Sequence, residues 1–348
     1  MWKIDAFCHV LPPRYVEALQ KKSKVPLTPR AVHIGRYGMR PMPTLTDLEA
    51  RLALMDRYPG YVQILNTTLP PPEDVTSPED TVELCKIAND SMAELVYRYP
   101  DRFVAAIACL PLNDVDAAMG ELERAIKELK FRGIQITTTI MDEPLDSPKF
   151  EPLFERMSYY NLPIQIHPRT MTSGARVFDE GGEKIADKVG LWAQVPFNWP
   201  FETTIAMGRL VFSGLLEKYP NLKLITHHLG GLVPYQIERV TYFTQQAEMR
   251  FGLDMFPEVN FTKSYADYYR MFYNDTACYG ATASLMCGYA FFGADHMLFG
   301  TDAPYDSMGG GPRIIPATIR SVEEMAISEA EKRMIFQVNA QRLFRLPL

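Results

Sequence analysis

Short runs of β-branched and aromatic residues recur along the chain, separated by longer stretches in which apolar residues return every three or four positions. The runs Lys3–Phe7, Tyr61–Leu65, Phe103–Ala108, Gly133–Thr137, Pro163–Ile166, Lys223–Thr226, Met271–Asn274 and Met297–Gly300 predict strands. Between them, Thr44–Arg57 places Leu45, Leu48, Leu52 and Met55 on one stripe. Asp114–Leu129 does the same with Val115, Met119, Leu122, Ile126 and Leu129, and Asp114 stands where an N-cap belongs. Pro148–Tyr160 carries Phe150, Leu153, Phe154 and Met157 at helical spacing, with Ser147 as N-cap and Pro148 as first helical residue.

Alternating β and α elements favour a parallel sheet. Eight such units close naturally into a (β/α)8 barrel, the TIM-barrel fold class, here as one domain spanning 1–348. An open doubly wound sheet is the competing α/β arrangement, but it usually has a Gly-rich phosphate turn after its first strand. None follows Phe7. Two insertions interrupt the rhythm: Leu11–Pro43 after the first strand and Arg169–Pro200 after the fifth. Both leave the carboxyl ends of strands, the catalytic face of such a barrel, and are expected to form lids and specificity walls.

Composition narrows the function. The 348 residues are 47% hydrophobic, enough for a large core, with 36 basic against 42 acidic side chains and a net charge of −6. No basic run marks a nucleic-acid surface or an electrostatic hold on anionic membranes, so a small-molecule partner is expected. Five scattered cysteines without a C-x-x-C pair point to reduced thiols and a cytoplasmic location. The longest uncharged stretch, Thr276–Ala294, is interrupted by Gly280, Gly288 and Gly293 and is expected to contain a buried helix, not a membrane span.

The candidate chemistry gathers where strands meet their following loops. His9 lies just past the first strand, His167 ends the fifth, His227 and His228 follow the sixth, and Asp302 follows the eighth. In a barrel these ends converge on one cavity. Alternate strand residues share a face, so positions 7 and 9 suit a two-ligand chelate, yet position 7 is Phe. Cys8, between them, is expected to face away. Arg169 and Arg51 are candidates to clamp a substrate carboxylate. Glu202 is a candidate hydrogen-bond acceptor, and Trp192, Phe197 and Trp199 are candidates to wall an aromatic ring or to form a dimer contact.

Several segments carry a family resemblance. Phe201-Glu202-Thr203-Thr204, Gly214-Leu215-Leu216-Glu217-Lys218-Tyr219-Pro220, Thr226-His227-His228-Leu229-Gly230-Gly231 and Asn339-Ala340-Gln341-Arg342-Leu343-Phe344 occur in order along the chain. Together they resemble the amidohydrolase superfamily, in particular its branch of aminocarboxymuconate-semialdehyde and hydroxybenzoate decarboxylases. The resemblance implies a divalent metal, Zn2+ first and Mn2+ as the alternative, held by His9, His167 and Asp302. The branch's second first-strand ligand falls on Phe7, which cannot ligate. His228 and Asp302 are then the expected catalytic groups and a homodimer the expected assembly. The implied activity is non-oxidative decarboxylation of a small aromatic or unsaturated acid. A metal-dependent hydrolase or hydratase, a metal-free site and a non-catalytic barrel remain open at this point.

Overall fold

Eight parallel strands carry the site, and each expected run supplies one. They are β1 Lys3–His9, β2 Tyr61–Asn66, β3 Phe103–Ala106, β4 Ile134–Thr137, β5 Pro163–His167, β6 Lys223–Thr226, β7 Tyr273–Asp275 and β8 Met297–Leu298. The computed structural model describes residues 1–24, 42–68, 70–169, 188–251, 256, 258–306 and 311–347, with side chains described throughout except at 188–195, 247, 248 and 251. Parts of both expected insertions, 25–41 and 170–187, lie outside the described residues.

β1–β2–β3 form one ladder, and β4–β5–β6–β7–β8 form another in chain order. Backbone hydrogen bonds join the two at both seams. Ala108 N donates to Gly133 O at 2.9 Å and Gln135 N to Ala108 O at 3.0 Å, while Ala6 N donates to Phe299 O at 2.8 Å. The sheet therefore closes into a (β/α)8 barrel and leaves no edge unpaired. Inside it, Ile4, Ala6, Val62, Ile64, Ala105, Ile107, Ile225 and Leu298 form one cluster with Ala340, Leu343 and Phe344 of the C-terminal helix. Outside it, residues of opposite parity such as Leu65, Ile136, Ile166 and Leu224 pack with Leu122, Phe154, Met207 and Leu285 of the helices.

The helices follow their predicted stripes with local corrections. Asp114 caps Val115–Lys127 by accepting from Ala117 N. The stretch expected as one helix from Thr44 divides at Asp47, which caps Leu48–Met55 by accepting from Ala50 N. Ser147 makes no cap hydrogen bond; Pro148–Phe150 is a 3-10 turn, and the helix proper is Glu151–Tyr160. The expected insertion boundary at Pro200 also moves, because a helix runs through Pro196 and Pro200 over Lys188–Phe212. Within Thr276–Ala294 the helix is Thr282–Phe292, and no helix among the described residues is long and apolar enough to cross a membrane.

One irregularity determines the site. Between Asp5 and Cys8, β1 gains a residue relative to β2, a β-bulge. Ile4 and Ala6 point into the barrel cluster, and the extra residue then lets Phe7 and His9 face the barrel mouth as well. Asp5 anchors the bulge by accepting from Phe7 N, Thr301 N and the Tyr61 and Thr301 hydroxyls.

Candidate active site

His9, His167, His227, His228 and Asp302 meet at the carboxyl ends of β1, β5, β6 and β8, all of them buried. The Nδ1 atoms are already committed. Nδ1 of His9 lies 3.0 Å from Thr67 O, that of His167 lies 2.7 Å from Pro168 O, and that of His228 lies 3.0 Å from Ala277 O. A carbonyl can only accept, so in each case Nδ1 carries the proton and Nε2 is left free to face the cavity. His227 is fixed in the same sense by the Asp275 carboxylate on its Nδ1.

The Nε2 atoms converge on Asp302. His9 Nε2 is 3.1 Å and His227 Nε2 3.3 Å from Asp302 Oδ1, while the Tyr279 hydroxyl donates to Oδ2 at 2.6 Å. Burial alone would raise the Asp302 pKa, but the His227 and His9 imidazoles beside it outweigh that and hold the carboxyl well below its ordinary range. Burial, helped by the neighbouring His9 and His227, keeps His167 neutral by pushing its pKa well below the usual value. Burial beside His227 likewise pushes His228 down to about 4. Burial opposes charge on His227 too, but Asp275 and Asp302 more than compensate and raise it to about 9.

Such a donor set fits a divalent cation. The ligand atoms of His9, His167 and His227 lie within 4.8 Å of one another, as do those of His227, His228 and Asp302. Imidazole nitrogens with one carboxylate suit Zn2+ or Mn2+, and the outer hydrogen bonds orient the rings as they do around bound metals. His227 Nε2 and His228 Nε2 are buried without a hydrogen-bond partner among the described residues. Cys8 turns away, its thiol 3.4 Å from Ile64 O.

The loops that shape this mouth hold unusual backbone. His228, Leu229, Tyr279 and Asp302 all have φ between 53° and 62°. A non-glycine residue held there costs about 1–3 kcal/mol, and such residues gather at functional sites. In the turn after β6, a Cβ on Gly231 would sit 2.1 Å from Pro200 O, so only glycine lets this turn press against the 188–212 helix.

Other candidates separate. Both Arg51 terminal nitrogens donate to His9 O, at 2.8 and 2.5 Å. The two terminal nitrogens are thus committed to fixing the end of β1, which corrects the expected role of Arg51 as a substrate clamp, and Nε stays without a hydrogen-bond partner among the described residues. Arg169 pairs with Asp74 at 2.9 Å and keeps Nη1 without a hydrogen-bond partner among the described residues. Burial lifts Glu202 to about 7 despite the pull of Arg169. The side chain of Trp192 lies outside the described residues, and Phe197 is 74% exposed. Of the two described side chains, Trp199 is the one that meets the histidines: its ring stacks on His228 at 5.9 Å and stands 6.2 Å from His167.

Sequence reasoning assigned no role to His227, Asp275, Tyr279 or Glu73. Asp275 ends β7 and was open to the same strand-end argument that found Asp302. Glu73 lines a small recess with Thr67, Thr68, Gln135 and Thr137, at the ends of β2–β4. Burial raises its pKa to about 8, and its Oε2 has no hydrogen-bond partner among the described residues.

Comparison with known proteins agrees with this architecture. The gamma-resorcylate decarboxylase of Polaromonas sp. (strain JS666) is 31% identical over 313 residues, covering 87% of this chain and 89% of that protein. A solved dihydroxybenzoic acid decarboxylase from Polaromonas sp. JS666, with bound manganese and the inhibitor 2-nitroresorcinol, aligns at 27% identity with a TM-score of 0.78, covering 99% of this chain and 97% of that one. The 5-carboxyvanillate decarboxylase from Sphingomonas paucimobilis gives a TM-score of 0.82 at 25% identity, covering 99% of both chains. The amidohydrolase model itself matches residues 4–346, from the first strand to the end of the C-terminal helix, and the chain belongs to the amidohydrolase family.

Proposed function

We propose that this chain is a metal-assisted, non-oxidative decarboxylase of a small aromatic carboxylic acid. The convergence of imidazole Nε2 atoms on the Asp302 carboxylate carries the reading, in a family whose similar members decarboxylate hydroxybenzoates. His9, His167 and Asp302 would hold the ion. Zinc is the first expectation from the donor set, and the manganese in the Polaromonas enzyme moves Mn2+ ahead of it. When bound, the ion supplies positive charge that orients the substrate's oxygens and stabilises charge developing on the ring.

The chain's own groups supply the remainder. Trp199 walls the ring beside His228, and Arg169 offers its spare nitrogen to the substrate carboxylate. Decarboxylation breaks the ring–carboxyl bond, releases CO2 and leaves the electron pair on the ring carbon, which a proton must reach. Asp302 and His228 are the two groups in place to deliver it. Both are deprotonated at rest, so each must first take up a proton from water, and the anionic substrate beside them favours that uptake.

The family match over 4–346 is in line with one barrel domain. The five thiols, free among the described residues, suit a reducing cytoplasm. Exposed Phe197, Phe201, Ile205, Tyr235, Tyr242 and Phe243 on two helices suit a face covered by a second copy. Sedimentation of a monomer would remove that assembly.

The activity is tested by metal analysis of the purified protein together with CO2 release from a panel of hydroxybenzoates. Stoichiometric Mn2+ or Zn2+ and chelator-sensitive CO2 release are expected. Turnover that survives complete metal removal sinks the mechanism, and hydrolysis of esters or lactones without CO2 release replaces the reaction.

A further inference from the structure

Phe7 removes a ligand from β1, yet its ring is not idle. It lies face to face with His227, with centroids 4.0 Å apart and planes 7° from parallel. The other constraint on that imidazole is Asp275 at Nδ1. A stacked plate and an anchored nitrogen together leave the ring neither rotation nor a tautomer choice, and they aim Nε2 at the cavity. That atom is 3.3 Å from Asp302 Oδ1, and His9 Nε2 is 3.1 Å from the same oxygen. Donors bonded at about 2.0–2.2 Å to one tetrahedral ion stand roughly 3.3–3.6 Å apart. His227 is also the one residue common to both candidate ligand groups.

We infer that His227 is a metal ligand of this chain and takes the coordination place that Phe7 gives up on β1. The ligand set becomes His9, His167, His227 and Asp302, with one donor moved from the first strand to the sixth. Phe7 serves as the packing surface that holds the new ligand in plane. His228 is left out of the set, beside Trp199, free for proton transfer. This rests on the metal-assisted reading above.

Two neighbouring histidines can both face the cavity because the chain leaves β6 abnormally. β6 ends at Thr226, and His228 takes φ of 56°. The turn brings the two rings to 3.8 Å, where a continuing strand would have pointed them to opposite faces.

The test is a count of coordinated imidazoles and an affinity, neither requiring turnover. Pulsed EPR of Mn2+ bound to the full-length protein carrying 15N-histidine should show three directly coordinated imidazole nitrogens; two overturns the inference. Titration calorimetry with Mn2+ should show one site per chain, weakened about 100-fold or more in His227→Asn, by more than loss of an outer-sphere partner costs. The double variant Phe7→His, His227→Asn should regain most of that affinity by restoring the first-strand donor. A folded His227→Asn that binds Mn2+ as tightly as the parent overturns the inference even if the activity stands. A parent protein that binds neither Mn2+ nor Zn2+ overturns the metal-assisted reading itself.

Discussion

The two halves of the barrel mouth are built on opposite principles. Across β1, β5, β6 and β8, every histidine has its Nδ1 committed to a named oxygen, and Asp302 is met by His9, His227 and Tyr279. Across β2–β4, Glu73 Oε2 and Gln135 Oε1 line an open recess without hydrogen-bond partners among the described residues. A preorganised set costs no rearrangement when charge develops, which suits chemistry. Unpartnered polar atoms are an unpaid debt that a ligand's hydroxyl or a water settles, which suits recognition. The comparison teaches that the tight half should govern turnover and the open half affinity.

The strongest challenge to that division is Asp302→Asn. The amide keeps the shape but loses the charge that His9 and His227 face and cannot relay a proton as an acid. Turnover should fall by about 10²–10⁴-fold, the range for losing a general acid, with the melting temperature little changed. Near-normal CO2 release would remove Asp302 from the mechanism.

Arg169 straddles the halves, following β5 but pairing with Asp74 beside Glu73. Arg169→Ala should raise KM about 10–100-fold with kcat changed less, the signature of a lost charge-assisted hydrogen bond to a bound carboxylate. An equal loss in kcat with KM unmoved would place Arg169 in the tight half instead.

How much of this was legible in the sequence follows from how local each signal is. Every strand declared itself, because a run of β-branched residues between turns needs no knowledge of its neighbours. His9, His167, Asp302 and the pair His227-His228 emerged from strand-end position, and the family resemblance then gave the role to His228. That both rings of the pair reach the cavity was not legible, because a regular strand turns consecutive residues to opposite faces and only the left-handed turn at His228 breaks that rule. Arg51 was misread because a helix stripe shows which face is polar but not that the guanidinium folds onto the carbonyl of His9. Glu73 lies in Pro70-Pro71-Pro72-Glu73-Asp74, a segment with the composition of a solvated loop. A 3-10 turn over Pro72–Asp74 tucks it inside, leaving it 4% exposed.

Glu73 provides the smallest and most discriminating test of the open half. Its carboxyl titrates near 4.5 in an unfolded chain and is raised to about 8 in the fold by burial, with Asp74 adding to the rise and Arg169 opposing it. Between those values the unfolded chain has released a proton that the folded chain retains. Stability from this group is therefore complete below about pH 4.5 and is lost progressively as pH rises through 8. Glu73→Gln cannot titrate, so its melting temperature should gain on the parent's by about a few degrees between pH 5 and 8.5. The sign is opposite to that of a salt-bridged carboxylate, which would make the parent gain on the variant as pH rises through the acid range. A difference in melting temperature that stays flat across the window would mean that Glu73 is solvated and ionised, and the recess would then present a fixed negative charge that repels an aromatic acid.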